Sequence, residues 1–451
     1  MLNPLIFKKV FTTSTDHVAE LLKTLKSFFG CVYLENHHSP VIACLPAHYW
    51  QSDEQTIKTY IRTDLQYEQH TNTTTDLSQN FQFSHAATQR DVAGFHGGYI
   101  GFIDYNYAAN QNIHVKNLAQ PQFYIGCYRS YIKREQQQWV FYSDEADAEQ
   151  IYDLIQSRLT AEPHQPSFRL TTPCQALWSK SQYQSAFQRV HAYIRAGDCY
   201  QINLTQKFAA TAVGDLLETA EQLWQLTDAP YAAYLNIEQF ELLSCSPELF
   251  IEFGPNRTLI TKPIKGTMPR YADPILDAQS KQQLIDSKKD QAENVMIVDL
   301  LRNDLSVYAE IGSVKTPKLF QIESFNQVHH MVSEVRATLK ADVNSFDLLM
   351  SALPGGSITG APKIRAMQII DELEGAPRGA YCGSLGYFNF DGTGSWNILI
   401  RSIQKYQHDV SLWAGGGVTI ASDCDAEYQE CFDKVAAMLE LLNTWQKSSK
   451  A

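Results

Sequence analysis

Thr261-Lys262-Pro263-Ile264-Lys265-Gly266-Thr267-Met268-Pro269-Arg270 follows Ser246-Pro247-Glu248 and the apolar run Leu249-Phe250-Ile251, with the turn-like Gly254-Pro255-Asn256 between them. Short apolar runs punctuated by Gly and Pro are the pattern of consecutive extended segments, which set a carboxylate and a lysine side by side. Such a pair suits proton transfer or nucleophilic attack once burial has taken the proton from the lysine. Most lysines are solvated. Here Pro263 and Pro269 stiffen the backbone and Gly266 lets it pass close to a ligand, so Lys265 and Glu248 are the first candidates for chemistry.

Outward from this stretch, strand and helix patterns mix. Upstream, Cys31 to Leu34, Val41 to Leu45 and Gly97 to Phe102 read as strands, and Phe123 to Ile132 with Trp139 to Tyr142 as a hairpin. A helix over about Ala146 to Leu159 precedes Thr160 to Gln175, which contains three prolines and reads as a linker. The linker divides the chain into an N-terminal domain, 1–165, and a second domain, 166–451. Beyond it, Ser179 and Gln182 stand at capping-box spacing and Gly197 ends their helix. Further helices are predicted over about Ala278 to Tyr308, Lys363 to Leu373 and Ala426 to Trp445. Strands are predicted from Tyr231 through Ile264, at Tyr381 to Phe388, Ser395 to Gln404 and Val410 to Trp413. This mixture predicts a layered α+β or α/β body, not a doubly wound sheet.

The 451 residues, 44% apolar and 19% charged, fit an ordinary globular protein of two or three units. A formal charge of -12 argues against a general nucleic-acid binder. The nine cysteines stand singly, without a Cys-x-x-Cys pair, so neither a zinc site nor a disulfide scaffold is expected and a reducing cytoplasm fits best. The opening residues lack a signal-peptide pattern and no run approaches about 18 apolar residues, so no membrane contact is expected.

Several further residues are candidates. Asp290 and Glu293 lie three apart on the predicted long helix, and Glu427, Glu430 and Lys434 share a face of the last one. Carboxylates from two helices, with room for water, suit Mg²⁺; taken singly, each stripe fits a solvated face. Gly415-Gly416-Gly417, after a predicted strand, reads as an anion cradle or a tight turn. Gly355 to Lys363 fails as a nucleotide loop, because Ala361-Pro362 separate Gly360 from Lys363. Arg401, on the predicted strand after Ile398-Leu399-Ile400, is an inward carboxylate fork or a surface arginine. His330 orients a substrate or is a satisfied core histidine.

Taken together, Gly197-Asp198-Cys199-Tyr200-Gln201-Ile202-Asn203-Leu204, Ser246-Pro247-Glu248, Pro263-Ile264-Lys265-Gly266-Thr267, Glu293 with Val298 to Leu305, Pro354 to Lys363, Gly415 to Gly417 and Glu427-Tyr428-Gln429-Glu430 carry a resemblance. They resemble the chorismate-utilising enzymes, which include the anthranilate, isochorismate and salicylate synthases and the enzymes that aminate chorismate at C4. The fold this implies is α+β, an α/β sandwich of large mixed, mainly antiparallel sheets flanked by helices. Gln201 with Lys265 is similar to the last branch. The resemblance implies conversion of chorismate and ammonia to 4-amino-4-deoxychorismate through a lysine adduct, with Lys265 as nucleophile and Glu248 as acid. It also implies Mg²⁺ on Glu293 and Glu430, supported by Asp290 and Glu427. The substrate contacts it implies are Gln201, His330, Thr359, Tyr381, Arg401, Gly415 to Gly417 and Lys434. No glutaminase sequence is appended, so a separate glutamine amidotransferase, docking on the N-terminal domain, is implied as the ammonia source. Related chains bind tryptophan in that domain, here at Glu35 and Asn36, where Tyr33-Leu34-Glu35-Asn36 departs from the family's Leu-Leu-Glu-Ser. The rival readings are an enzyme that eliminates pyruvate to give anthranilate, and an inert regulatory or scaffolding subunit.

Overall fold

The computed structural model describes residues 6–13, 15, 17–35, 39–53, 56–70, 77–84, 94–116, 118–160, 167–325 and 328–446. They form two sheets in which neighbouring strands run antiparallel, of thirteen and twelve strands among the described residues. The first runs from Phe7–Val10 at one edge to Phe168–Leu170 at the other; the second runs from Ile264–Pro269 to Gln66–His70. Both sheets draw strands from either side of the expected linker. The boundary at 165/166 lies outside the described residues. The part of the linker that is described is not free chain, because Phe168–Leu170 and Gln175–Ala176 pair with the strand Gln201–Gly214.

An apolar layer that includes Val32, Leu235 and Leu242 of the first sheet and Ile100, Phe102 and Tyr387 of the second fills the space between them. Helices cover the outer faces. Among the described residues no helix is long and apolar enough to cross a membrane.

The site-bearing half begins with α1 (Lys180–Ala196), opened by the expected capping box of Ser179 and Gln182 and closed by Gly197 at φ 82°. It feeds directly into β1 (Gln201–Gly214), which lies in the first sheet. In the second sheet follow β2 (Leu249–Phe253), β3 (Thr258–Thr261) and β4 (Ile264–Pro269). The long helix expected over Ala278 to Tyr308 is two helices, α2 (Pro274–Asp286) and α3 (Lys288–Ser306). Ser287 between them adopts ψ 100° and its hydroxyl accepts the Asp290 N–H, so a new cap interrupts the apolar periodicity. β5 (Val328–Thr338) and α4 (Lys363–Glu374) come next.

Two expected strands turn out to change sheets midway. Phe123 to Ile132 is Phe123–Tyr128 in the second sheet and Ser130–Glu135 in the first. Likewise Ser395 to Gln404 is β6 (Gly394–Asn397) in the second and β7 (Ser402–Tyr406) in the first. A sandwich is closed at its corners by such crossings. β8 (Asp409–Val418) then continues through the three glycines, and the final helix is again broken, into α5 (Cys424–Asp433) and α6 (Ala436–Asn443), at Val435 with ψ 2°.

Because the Ser179 box caps the first turn of α1, Ser179→Ala should lower stability by about 1 kcal/mol. Urea unfolding would show this as a lower midpoint at unchanged slope; an unmoved midpoint would mean the cap contributes nothing.

Candidate active site

β3 and β4 form one bent strand along β5, with Thr261 opposite Val335, Ile264 opposite Val332 and Thr267 opposite His330. The register slips between Ile264 and Thr267, which places a bulge at Lys265 and Gly266. A bulge re-aims the side chain it carries. Gly266 has φ 82°, and a Cβ there would stand 2.8 Å from Leu284 of α2 and 2.9 Å from Asp290 Cγ of α3. Only glycine lets the strand turn this way so close beneath the two helices. His330 fixes the bulge from the next strand: its Nδ1 is 2.8 Å from Thr267 Oγ1 and its ring bonds the Gly266 carbonyl.

The re-aimed Lys265 is half-buried and makes no ion pair among the described residues. Burial lowers its pKa, and the charge of Lys434 adds to this; Glu293, Glu248 and Glu430 act in the opposite sense without reversing it. Glu248 is 7% exposed, and burial raises its carboxyl to about 7 against the attraction of Lys265 and a bond from the Ile264 N–H. The acid therefore keeps its proton near neutrality while the amine beside it is disposed to lose one.

The acidic residues of α3 and α5 face one another. Lys289 Nζ lies 3.9 Å from both Glu293 and Glu427. A Cβ on Gly416 would be 2.9 Å from Glu427 Oε2 and 3.1 Å from Glu430 Oε1, so both carboxylates converge on that glycine. Burial raises the pKa of Glu293 and of Glu427, the latter holding a 2.7 Å bond from Ser422. At Glu430 burial acts the same way, but Lys434 at 2.6 Å prevails and holds it below the usual range. Lys434 also donates to the Gly415 carbonyl at 2.8 Å. Among the described residues no three such donors close on one point. Half-buried and buried carboxylates on two facing helices still fit an oxygen-seeking ion that keeps several waters.

Gly415 to Gly417 lie inside β8, not after a strand, paired with Thr205, Leu204 and Asn203 of β1. Glycine keeps a full set of ladder groups, so the strand continues. What the missing side chains leave is space, occupied at Gly416 by the acids and at Gly417 by the Gln201 amide, 2.4 Å from where a Cβ would be. Gln201 is 1% exposed and both its amide atoms lack a protein partner.

Arg401 is not on a strand. It sits where the chain crosses from β6 to β7, in the left-handed region at φ 50°. Burial lowers its pKa, its charge acts on Glu248 and His330, and it makes no ion pair among the described residues. Burial, reinforced by Arg401, takes His330 down to about 4, so its imidazole is uncharged. Thr359 is fully buried and donates to the Gly355 carbonyl at 2.8 Å. Tyr381 precedes its expected strand, which begins at Ser384, and stacks on Trp413 at 5.9 Å. The Arg378 guanidinium lies over the Tyr381 ring, 5.7 Å from its centroid, and is paired with Glu374. In the sequence this pair shows only as a Glu and an Arg four apart at a helix end.

Glu35 accepts from the Tyr33 hydroxyl and, with Tyr231, Tyr387 and Asn397, lines a cavity of about 30 Å³, room for one water. Asn36 lies outside the described residues. A wider cleft of about 470 Å³ between Gln51, Gln122, Glu238 and Tyr406 holds none of the residues above.

Residues 45–440 match the family of chorismate binding enzymes. Aminodeoxychorismate synthase component 1 of Klebsiella aerogenes is 47% identical over 298 residues, 65% of this chain and 66% of that one. The Salmonella typhimurium protein of the same name is 43% identical over 353 residues, 77% of each chain. Anthranilate synthase component I from Streptococcus pneumoniae has the same fold, with a TM-score of 0.76 at 24% identity over 89% of this chain and 92% of that one.

Burial sets the sign of one pH effect: Glu248 should be protonated below about 7 and ionised above it. Infrared difference spectra against pH should show a protonated carboxyl disappearing with that midpoint and missing from Glu248→Gln. A carboxyl already ionised at pH 5 would contradict the buried environment described.

Proposed function

The chain belongs to the chorismate-binding enzyme family, and we propose that it is the chorismate-aminating component of an aminodeoxychorismate synthase, making 4-amino-4-deoxychorismate on the route to p-aminobenzoate and folate. The observation that carries this reading is Lys265, an amine drawn out of water between two acidic helices with no carboxylate bonded to it and an acid, Glu248, within its field. Gln201 in place of a lysine leaves no side-chain base there to activate water, which favours amination over hydration.

Mg²⁺ between Glu293 and Glu430, with Asp290 and Glu427 in support, would neutralise the ring carboxylate of chorismate and hold it beside Gly415 to Gly417. Arg401 and Tyr381 take the enolpyruvyl carboxylate; a half-buried guanidinium with no ion pair among the described residues is suited to such a bidentate partner. His330, Thr359, Gln201 and Lys434 border the ring. Neutral Lys265 attacks C2, the two ring double bonds shift, and Glu248 gives its proton to the departing C4 hydroxyl as water leaves. Ammonia then adds at C4, the double bonds shift back and the lysine leaves C2, while Glu248 takes a proton from the new amine. A glutamine amidotransferase subunit supplies the ammonia and docks through residues 1–165, the N-terminal domain of this reading. Tryptophan is the ligand proposed for the Glu35 cavity, which would have to widen to admit it. The setting is the reducing cytoplasm, where the nine cysteines stay as free thiols.

Incubating the protein with chorismate, Mg²⁺ and an ammonium salt should yield a product with the mass of 4-amino-4-deoxychorismate. Anthranilate would move the chain to the pyruvate-eliminating branch, and unchanged chorismate would make it an inert subunit. Withholding ammonium should leave a chorismate-derived mass adduct on the wild-type protein and none on Lys265→Ala; an adduct that survives the substitution would remove Lys265 from the covalent step.

A further inference from the structure

Two side chains unused by this chemistry tie three of its segments together. Glu374, the last residue of α4, and Arg378 form an ion pair at 2.7 Å with side chains 2% and 1% exposed. Arg378 donates from Nε to Glu374 Oε2 at 2.8 Å and from Nη2 to Oε1 at 2.7 Å. The same guanidinium donates to two main-chain carbonyls, Ile358 at 2.9 Å and Asn203 at 2.7 Å. Glu374 accepts from the Thr205 N–H at 3.0 Å and hydroxyl at 2.7 Å. Over the face of the Tyr381 ring, the guanidinium lies 5.7 Å from the centroid.

The ends of these bonds share a property. Ile358 adjoins Thr359; Asn203 and Thr205 are the β1 partners of Gly417 and Gly415; Tyr381 is touched directly. A buried ion pair is weak evidence for stability, since apolar replacements of similar volume are often neutral or better. Its geometry explains more than its energy does. A guanidinium reaches several acceptors at fixed angles, whereas an ammonium is a point charge that does not hold them at once.

Resting on the proposed function, we infer that Arg378 and Glu374 are positioning residues: the pair sets the spacing of Thr359, the Gly415 to Gly417 strand and Tyr381, and so the shape of the slot that receives the substrate ring. Neither touches the reacting atoms. Loosening the pair should weaken the grip on the ring more than it slows a ring correctly placed, so the loss should fall mainly on KM.

Arg378→Lys and Glu374→Gln, which keep approximate size but break the fixed set of bonds, should be compared with wild type for chorismate turnover with ammonium, chorismate binding by titration calorimetry, and melting temperature. Expected are a rise in KM and Kd of about tenfold or more and a smaller fall in kcat, read at a temperature where each variant is fully folded, together with a lower melting temperature because a buried group loses its partner. Wild-type KM and Kd in both variants would overturn the positioning role and leave the proposed function standing. A loss of kcat alone, or a loss that tracks the fraction unfolded, would also overturn it, assigning the pair to structure. Wild-type protein that neither binds nor converts chorismate would bring down the proposed function and this inference with it. If Arg378→Lys does not fold, Glu374→Gln decides, because it keeps the guanidinium and its bonds to Ile358 and Asn203.

Discussion

The site depends on keeping one lysine close to acids without letting any of them bond to it. Each pKa unit taken from Lys265 corresponds to about 1.4 kcal/mol of preference for the neutral amine, and a carboxylate in contact would return that preference to the charged form. The structure avoids this by giving the acids other cations. Glu430 bonds Lys434, while Glu293 and Glu427 share Lys289. Glu248, the remaining acid, stays protonated near neutrality because it is buried. Lys265 is thus surrounded by negative charge already spoken for.

Holding an amine in that position falls to the backbone. The bulge at Lys265 and Gly266 turns the side chain, His330 secures the bulge, and the bare Cα of Gly266 admits Asp290 and Leu284 above it. The opposite wall belongs to the other sheet, where Gly416 of β8 makes room for the carboxylates of α5. The site therefore exists only where an edge strand of one sheet and an interior strand of the other are brought together. The crossing from β6 to β7 that joins the sheets also places Arg401, unpaired, next to Glu248 and His330.

Polar groups left without partners follow the same logic. Among the described residues the buried Gln201 amide has no partner and the half-buried Arg401 has no acid paired with it. Such groups are costly unless something satisfies them, and a doubly anionic ring compound with polar substituents would do so. Arg378, by contrast, has each of its three guanidinium nitrogens bonded within the protein, as a frame residue would.

Much of this was legible from the residues. The capping box at Ser179, the acids at helical spacing, the glycines at 266 and 415 to 417, and the strand character of the surrounding runs are local signals, set by torsional preference and by side-chain periodicity. Local signals also misled: a helical stripe continues past Ser287 and past Val435, yet the chain breaks at both, because capping and packing against β8 and β4 outweigh propensity there. Apolar runs at 123 to 132 and 395 to 404 look like single strands because periodicity is blind to which sheet a strand joins. The residues by themselves determined which chemistry was available, a lysine, an acid and two pairs of carboxylates in strand and helix contexts. Only the tertiary structure decided that the lysine sits half-buried at a bulge, that other cations pair with acids around it, and that Arg378 bonds the Ile358 and Asn203 carbonyls, since each depends on distances between groups far apart in the chain.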